Sequence, residues 1–270
     1  MFLEGAKMVK SKAKWVVASA AAVASFALAG AAAAAVQVEF KNVKGEWTNA
    51  IGGTNLSYTD NNSDEAKVRW GVSTGYGKSG YNFVGSDFSA VLDQDVDSSG
   101  AVNIGEFQHV NFPINSGGSI SGITLLFTTD VWVGSNFLGT KTFEYNFSHD
   151  ETTNSANPCA NGGWNNTGIN ANGCADKVTM NFNSNSEVFV IDGKEYTLNI
   201  DGFLVDGSPS GGFWTKEQAV NSAYIRGKID LYSVASAVPE PTTWALMIVG
   251  FGAAGAMVRS VRRRGDLTLA

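Results

Sequence analysis

Histidine, cysteine and proline are scarce in this chain: two, two and five among 270 residues. Each scarcity excludes something. Cys159 and Cys174 without a nearby histidine make an incomplete zinc set. His109 and His149 are the only imidazoles, so no histidine cluster suggests a metal centre. No phosphate-cradling glycine loop is present. No amphipathic stretch exceeds about two helical turns, which argues against a helical domain. Basic charge is also short. The formal net charge is −6, and its distribution is uneven. Residues 1–36 carry +3 and residues 237–270 carry +2, leaving −11 for the middle of the chain. Phosphate recognition needs clustered Lys and Arg, so no nucleic-acid partner is expected. Acidity suits solubility or divalent cations.

What is abundant is glycine, at 31 residues, with Asn and Ser crowding the presumed turns. That composition suits many short strands joined by tight turns. Alternating apolar and polar residues mark strands over Val36–Lys41, Ala66–Gly71, Gly80–Val84, Val102–Phe107, Ile123–Thr128, Lys141–Phe147, Lys177–Asn183 and Ala223–Tyr232. The clearest hairpin joins 187–191 to 194–200 through Asp192-Gly193, a pair that supplies the positive φ values of a type I′ turn. The fold class expected is all-β: a two-sheet antiparallel β-sandwich, jelly-roll-like, over residues 36–237.

Both ends read as signals rather than domain. Lys7, Lys10, Lys12 and Lys14 precede an apolar run from Trp15 to about Ala35, closed by small residues. This is the pattern of a secretory signal peptide over 1–35, cleaved before Val36 or Gln37; the alternative is a transmembrane anchor. Met8 is a second candidate start. At the other end, Pro239-Glu240-Pro241 is followed by 15 uncharged residues, Trp244 to Val258, and then by Arg259, Arg262, Arg263 and Arg264. At about 1.5 Å per residue such a helix barely spans a bilayer core of about 30 Å, with Trp244 at the interface and the arginines cytoplasmic. A plain C-terminal anchor is the alternative. Residues 265–270 form a short remaining tail.

This tail resembles the PEP-CTERM sorting signal in its PEPxxWA variant. Pro239, Glu240, Pro241, Trp244, Ala245, Gly250-Phe251-Gly252, Arg262, Arg263 and Arg264 carry the likeness over 238–264. The resemblance implies export through the Sec translocon and signal peptidase. It also implies a transient membrane intermediate, cleavage by an exosortase near Pro239–Pro241, and a Gram-negative host that makes exopolysaccharide. The middle resembles the THxN group of PEP-CTERM proteins, which overlaps the choice-of-anchor K type of domain. The carrying segments are Val68–Gly71, Ser79–Phe83, Ile104–Ile114 with His109 and Asn111, and Phe213–Glu217 with Asn221. Gln108 stands where that group has its naming Thr. The resemblance implies a β-sandwich with no assigned activity.

Three local features bear on chemistry. Cys159 and Cys174 enclose an Asn/Gly-rich loop with little to bury, and export implies an oxidising compartment, so a disulfide is expected. Trp164 within that loop either contacts a ligand or folds back as a plug. His109 and Asn111 share one strand face, as a binding pair or as a structural network. Finally, Asp95, Asp97, Ser99, Ala101, Asn103 and Glu106 fall at the ligand positions of an EF-hand calcium loop, with Gly100 at its sixth place. Against this, Pro113 leaves no room for a long exiting helix, and Glu106 alternates as in a strand. An acidic turn is the alternative, and no other cofactor is expected. The leading functional expectation is a non-enzymatic surface or matrix protein associated with exopolysaccharide. A carbohydrate-binding module is the rival, and a secreted hydrolase with paired carboxylates is the third reading.

Overall fold

The structure, a computed structural model, describes residues 35–181, 186–234, 248, 249 and 251. The first half of the chain contributes β1 (Val36–Gly52), β2 (Ser57–Thr59), β3 (Glu65–Trp70), β4 (Ser79–Gly85), β5 (Phe88–Asp93), β6 (Ser98–Ser99), β7 (Val102–Asn111) and β8 (Ile120–Val133). The second half contributes β9 (Asn136–Asp150), β10 (Asp176–Asn181), β11 (Phe189–Ile191), β12 (Lys194–Val205), β13 (Ser208–Ser210), β14 (Gly212–Thr215) and β15 (Ala219–Val234). One short 3-10 turn, Gly168–Asn170, interrupts the strands. The domain is therefore all-β, and every strand pairing is antiparallel. Hydrogen bonding runs through the order β14-β10-β9-β8-β1-β5-β6-β15-β7-β4-β3-β2, with β12 also on β15 and carrying β11 and β13.

Each strand expected from the alternation has a counterpart, generally longer, although residues 182 and 183 of one lie outside the described residues. The strand at Val36 shows why length was hard to read. Its inward residues Val38 and Phe40 give way to Val43, Gly45 and Trp47, so the phase slips by one at Asn42. Asn42 adopts a positive φ of 55° and the register to β8 shifts between Lys41 and Lys44. A bulge admits the extra residue and lets the strand continue. The 192–193 turn is as expected: Asp192 and Gly193 have φ values of 49° and 78°, and Ile191 faces Lys194.

The core is aromatic. Trp47, Trp70, Tyr81, Phe83, Phe107, Phe127 and Phe147 are all buried. Phe107 of β7 stacks on Phe147 of β9 with ring centroids 5.3 Å apart, and Trp47 of β1 lies 5.7 Å from Tyr81 of β4. Such pairs contribute about 0.5–1.5 kcal/mol each beyond their burial. Gly45 and Gly105 make room for Phe83: an added Cβ at either would come within 2.4 Å of its ring.

Among the described residues no helix is long and apolar enough to cross a membrane. The expected signal segment 1–35 lies almost wholly outside the described residues, as do Pro239, Glu240, Pro241, Trp244, Ala245, Arg262, Arg263 and Arg264.

Candidate functional site: a buried polar and acidic cluster

Five strand faces turn from aromatic to polar in the same direction. On β9 the inward positions read Tyr145, Phe147, His149, with Glu151 next in phase beyond the strand end. On β10 they read Met180, Val178, Asp176, and on β14 Phe213, Thr215, with Glu217 next in phase. On β7 they read Phe107, His109, Asn111, and on β4 Phe83, Tyr81, Ser79. Because β9, β10 and β14 are neighbours in register, with Lys177 opposite Asp150 and Asp176 opposite Thr215, their acidic ends arrive together.

The polar layer is tightly bonded. His109 Nδ1 meets Thr215 Oγ1 at 2.8 Å and its Nε2 meets Ser79 Oγ at 3.3 Å. Ser79 donates to the Val110 carbonyl at 3.0 Å, and Asn111 Nδ2 donates to the Thr215 carbonyl at 3.0 Å. Tyr81 Oη lies 2.6 Å from His149 Nδ1, and His149 Nε2 faces Glu151 Oε2 at 3.4 Å. All four ring nitrogens thus have partners. Burial holds the His109 imidazole well below its usual pKa, with the neighbouring His149 and Arg69 adding to the effect, so it is neutral at pH 7. Burial holds the Tyr81 phenol protonated, helped by the charges of Asp176 and Glu151.

The acidic layer is different. Glu151, Asp176 and Glu217 each place a carboxylate oxygen within 4.8 Å of the others. Asp176 and Glu217 are fully buried. Asp176 Oδ1 accepts from the Thr152 amide at 2.7 Å, but its Oδ2 has no partner, and neither has either Glu217 oxygen. Burial, together with the charges of Glu151 and Glu217, pushes Asp176 up to about 9. Burial and Glu151 push Glu217 up to about 7. A groove of about 570 Å³, lined by residues 114–121 and 149–154, leads from solvent to Glu151 and His149.

The expected disulfide is present: Cys159 and Cys174 are bonded, with Cα atoms 5.3 Å apart. It closes a loop that leaves β9 and returns to β10, two residues before Asp176. Thr152 fastens the loop's ends by donating from Oγ1 to the Cys174 carbonyl at 3.0 Å. Trp164 in this loop is 66% exposed, so the structure takes the ligand-accessible alternative over the plug.

The Asp95–Glu106 segment is not built as a helical calcium loop. Ser99 lies on β6, and Asn103 and Glu106 lie on β7. Asp97 takes a positive φ, and its Oδ1 accepts from Lys194 Nζ at 2.6 Å and Tyr196 Oη at 2.9 Å. Glu106 accepts from Gln108 Nε2 at 3.1 Å. Asp95, Asp97 and Glu106 are not among the described residues whose ligand oxygens converge. One further pattern had gone unread: Gly71-Val72-Ser73-Thr74-Gly75 has nucleophile-elbow spacing. It is an exposed loop instead, and Ser73 Oγ accepts from the amides of Gly75 and Gly77.

Sequence reading had singled out His109 and Asn111 but not Glu151, Asp176 and Glu217. The signal was there: each continues, by period two, a strand face that otherwise faces the core. An acidic residue in phase with Phe147, Val178 or Phe213 is destined for the interior edge.

Residues 237–264 match the family described as PEP-CTERM protein-sorting motif. That motif marks a chain that is exported, processed by an exosortase and sorted to the cell surface. A comparison with curated proteins finds no match.

Proposed function

We propose that the domain is a non-enzymatic component of the cell surface or extracellular matrix, associated with exopolysaccharide. In this reading the chain passes the Sec translocon, loses residues 1–35 to signal peptidase, and waits as an inner-membrane intermediate on its C-terminal helix. The exosortase then releases it near Pro239–Pro241. The folded part is a two-sheet, jelly-roll-like sandwich of the THxN and choice-of-anchor K type. The observation that carries the reading is the sorting motif at 237–264. The state of the two histidines agrees with it: both are spent inside a buried network, which suits positioning rather than proton transfer to a substrate.

A carbohydrate-binding module is favoured by one feature, the exposed Trp164 on its disulfide-closed loop. Intact-mass analysis of surface material from an exosortase-bearing host, followed by pull-down with purified exopolysaccharide, tests both readings. Mature protein beginning near Val36 and ending near Pro239 is expected. Arg264 on most surface protein would refute the sorting step. Retention on exopolysaccharide lost in Trp164→Ala would favour the binding module, and no retention of wild type would defeat both glycan readings.

A further inference from the structure

The acidic layer described above lacks a counter-charge. Asp176 and Glu217 are fully buried, three of their four oxygens have no partner, and the charges acting on Asp176 are the negative ones of Glu151 and Glu217. Buried carboxylates are ordinarily paired or bound to metal, since an uncompensated one costs several kcal/mol. The Asn154 amide lies close enough to Glu217 to pull its pKa slightly down, and Asn154 Oδ1 is also buried without a partner. The unmet groups are therefore all oxygens. The imidazoles beside them are already committed at both nitrogens.

We propose that Glu151, Asp176, Glu217 and Asn154 form a calcium site. Oxygen donors from carboxylates and an amide carbonyl are what a hard cation takes, and thiolate or free imidazole is what zinc would want. A span of up to 4.8 Å between donor oxygens is what two ligands reach across one calcium with bonds of about 2.3–2.6 Å. Magnesium needs closer, octahedral donors and keeps its waters. Glu217, with both oxygens unmet, is placed to bind bidentately. Thr152 fixes Asp176 through Oδ1 and leaves Oδ2 for the ion. The groove at Glu151, whose side chain is 27% exposed, is the way in.

Calcium titration of the chelator-treated protein tests this, by calorimetry and by melting. A Kd of roughly 10⁻⁴–10⁻³ M is expected, as for extracellular modules. At ten times Kd, mass action multiplies the folded-to-unfolded ratio about elevenfold, raising the melting temperature of a domain this size by roughly 3–6 °C. Glu217→Gln and Asp176→Asn should abolish the rise, while Asp97→Asn and Glu106→Gln keep it. Terbium provides a readout without variants. Bound here, it should be sensitised by Tyr81 and Trp70 and displaced by calcium. Three results would overturn the site: no heat and no shift in wild type, a shift that survives Glu217→Gln, or a shift given by zinc but not by calcium.

Discussion

Two acidic regions of this domain look alike in composition and are treated oppositely by the fold. At Asp95–Glu106 the carboxylates follow one another in sequence with calcium-loop spacing, yet the chain itself answers them, with Lys194 and Tyr196 on Asp97 and Gln108 on Glu106. At Glu151, Asp176 and Glu217 no spacing links the three. They are gathered by the order β14-β10-β9, and no Lys or Arg is placed against them by a salt bridge among the described residues. Ligand geometry is set by where side chains end, not by how their residues are spaced. A turn can hold donors in series and still spend them on its neighbours.

Breaking the second region alone is the largest effect to expect. The disulfide closes the loop between Glu151 and Asp176, so Cys159→Ser with Cys174→Ser should cost about 3 kcal/mol in the chain-entropy account. Denaturant unfolding measures the loss. The damage should reach the carboxylates as well as the loop, because Thr152 joins Cys174 and Asp176. An undiminished calcium response in that double variant would show that the disulfide does not position the acids.

The next effect is on pH dependence in chelator. Asp176 titrates at about 9 when folded and near its usual 3.8 when unfolded. Between pH 7 and 9 the folded state therefore holds a proton that the unfolded state has lost, and stability falls as pH rises. Neutral His109 takes no part in that window, because its folded pKa lies well below 6.5. The melting temperature should drop by several degrees from pH 7 to pH 9, and the slope should flatten in Asp176→Asn. An unchanged slope would mean that Asp176 is not the group responsible.

How much of this was open to reading follows from what each feature depends on. The Asp192-Gly193 hairpin depends on two residues and their neighbours, and it was legible. The disulfide was legible for the same reason: two cysteines, one loop, one compartment. The 17-residue length of β1 was not, because positive φ at Asn42 and Asn49 resets the alternation and hides the strand's continuity. The acidic cluster was half legible. The phase of Glu151 with Phe147, of Asp176 with Val178 and of Glu217 with Phe213 was in the sequence. That three such strands lie side by side is a property of topology, and single-strand patterns do not carry it. Conversely, the Asp95–Glu106 spacing was conspicuous because it matched a local template, and the Lys194 partner sits 97 positions away.

The smallest effect sharpens the comparison from its other side. Lys194→Ala removes the answer to Asp97. Both side chains are partly exposed, at 34% and 25%, so the loss should be no more than about 1 kcal/mol and should shrink in high salt. Urea unfolding at low and high salt reads it. A cost well above that would move Asp97 into the same class as the buried acids.

The last strand has a mechanical consequence. β15 is bonded along most of its 16 residues to β7 on one side and β12 on the other, and it is the final strand before the sorting tail. Tension applied to the tail enters the fold at Val234 and runs along the strand axis. To yield, β15 must slide past both neighbours together, breaking many hydrogen bonds in shear rather than peeling them one at a time. A domain held or pulled by its C-terminus is thus gripped at its centre, and the load is shared across the sheet instead of being borne by an edge.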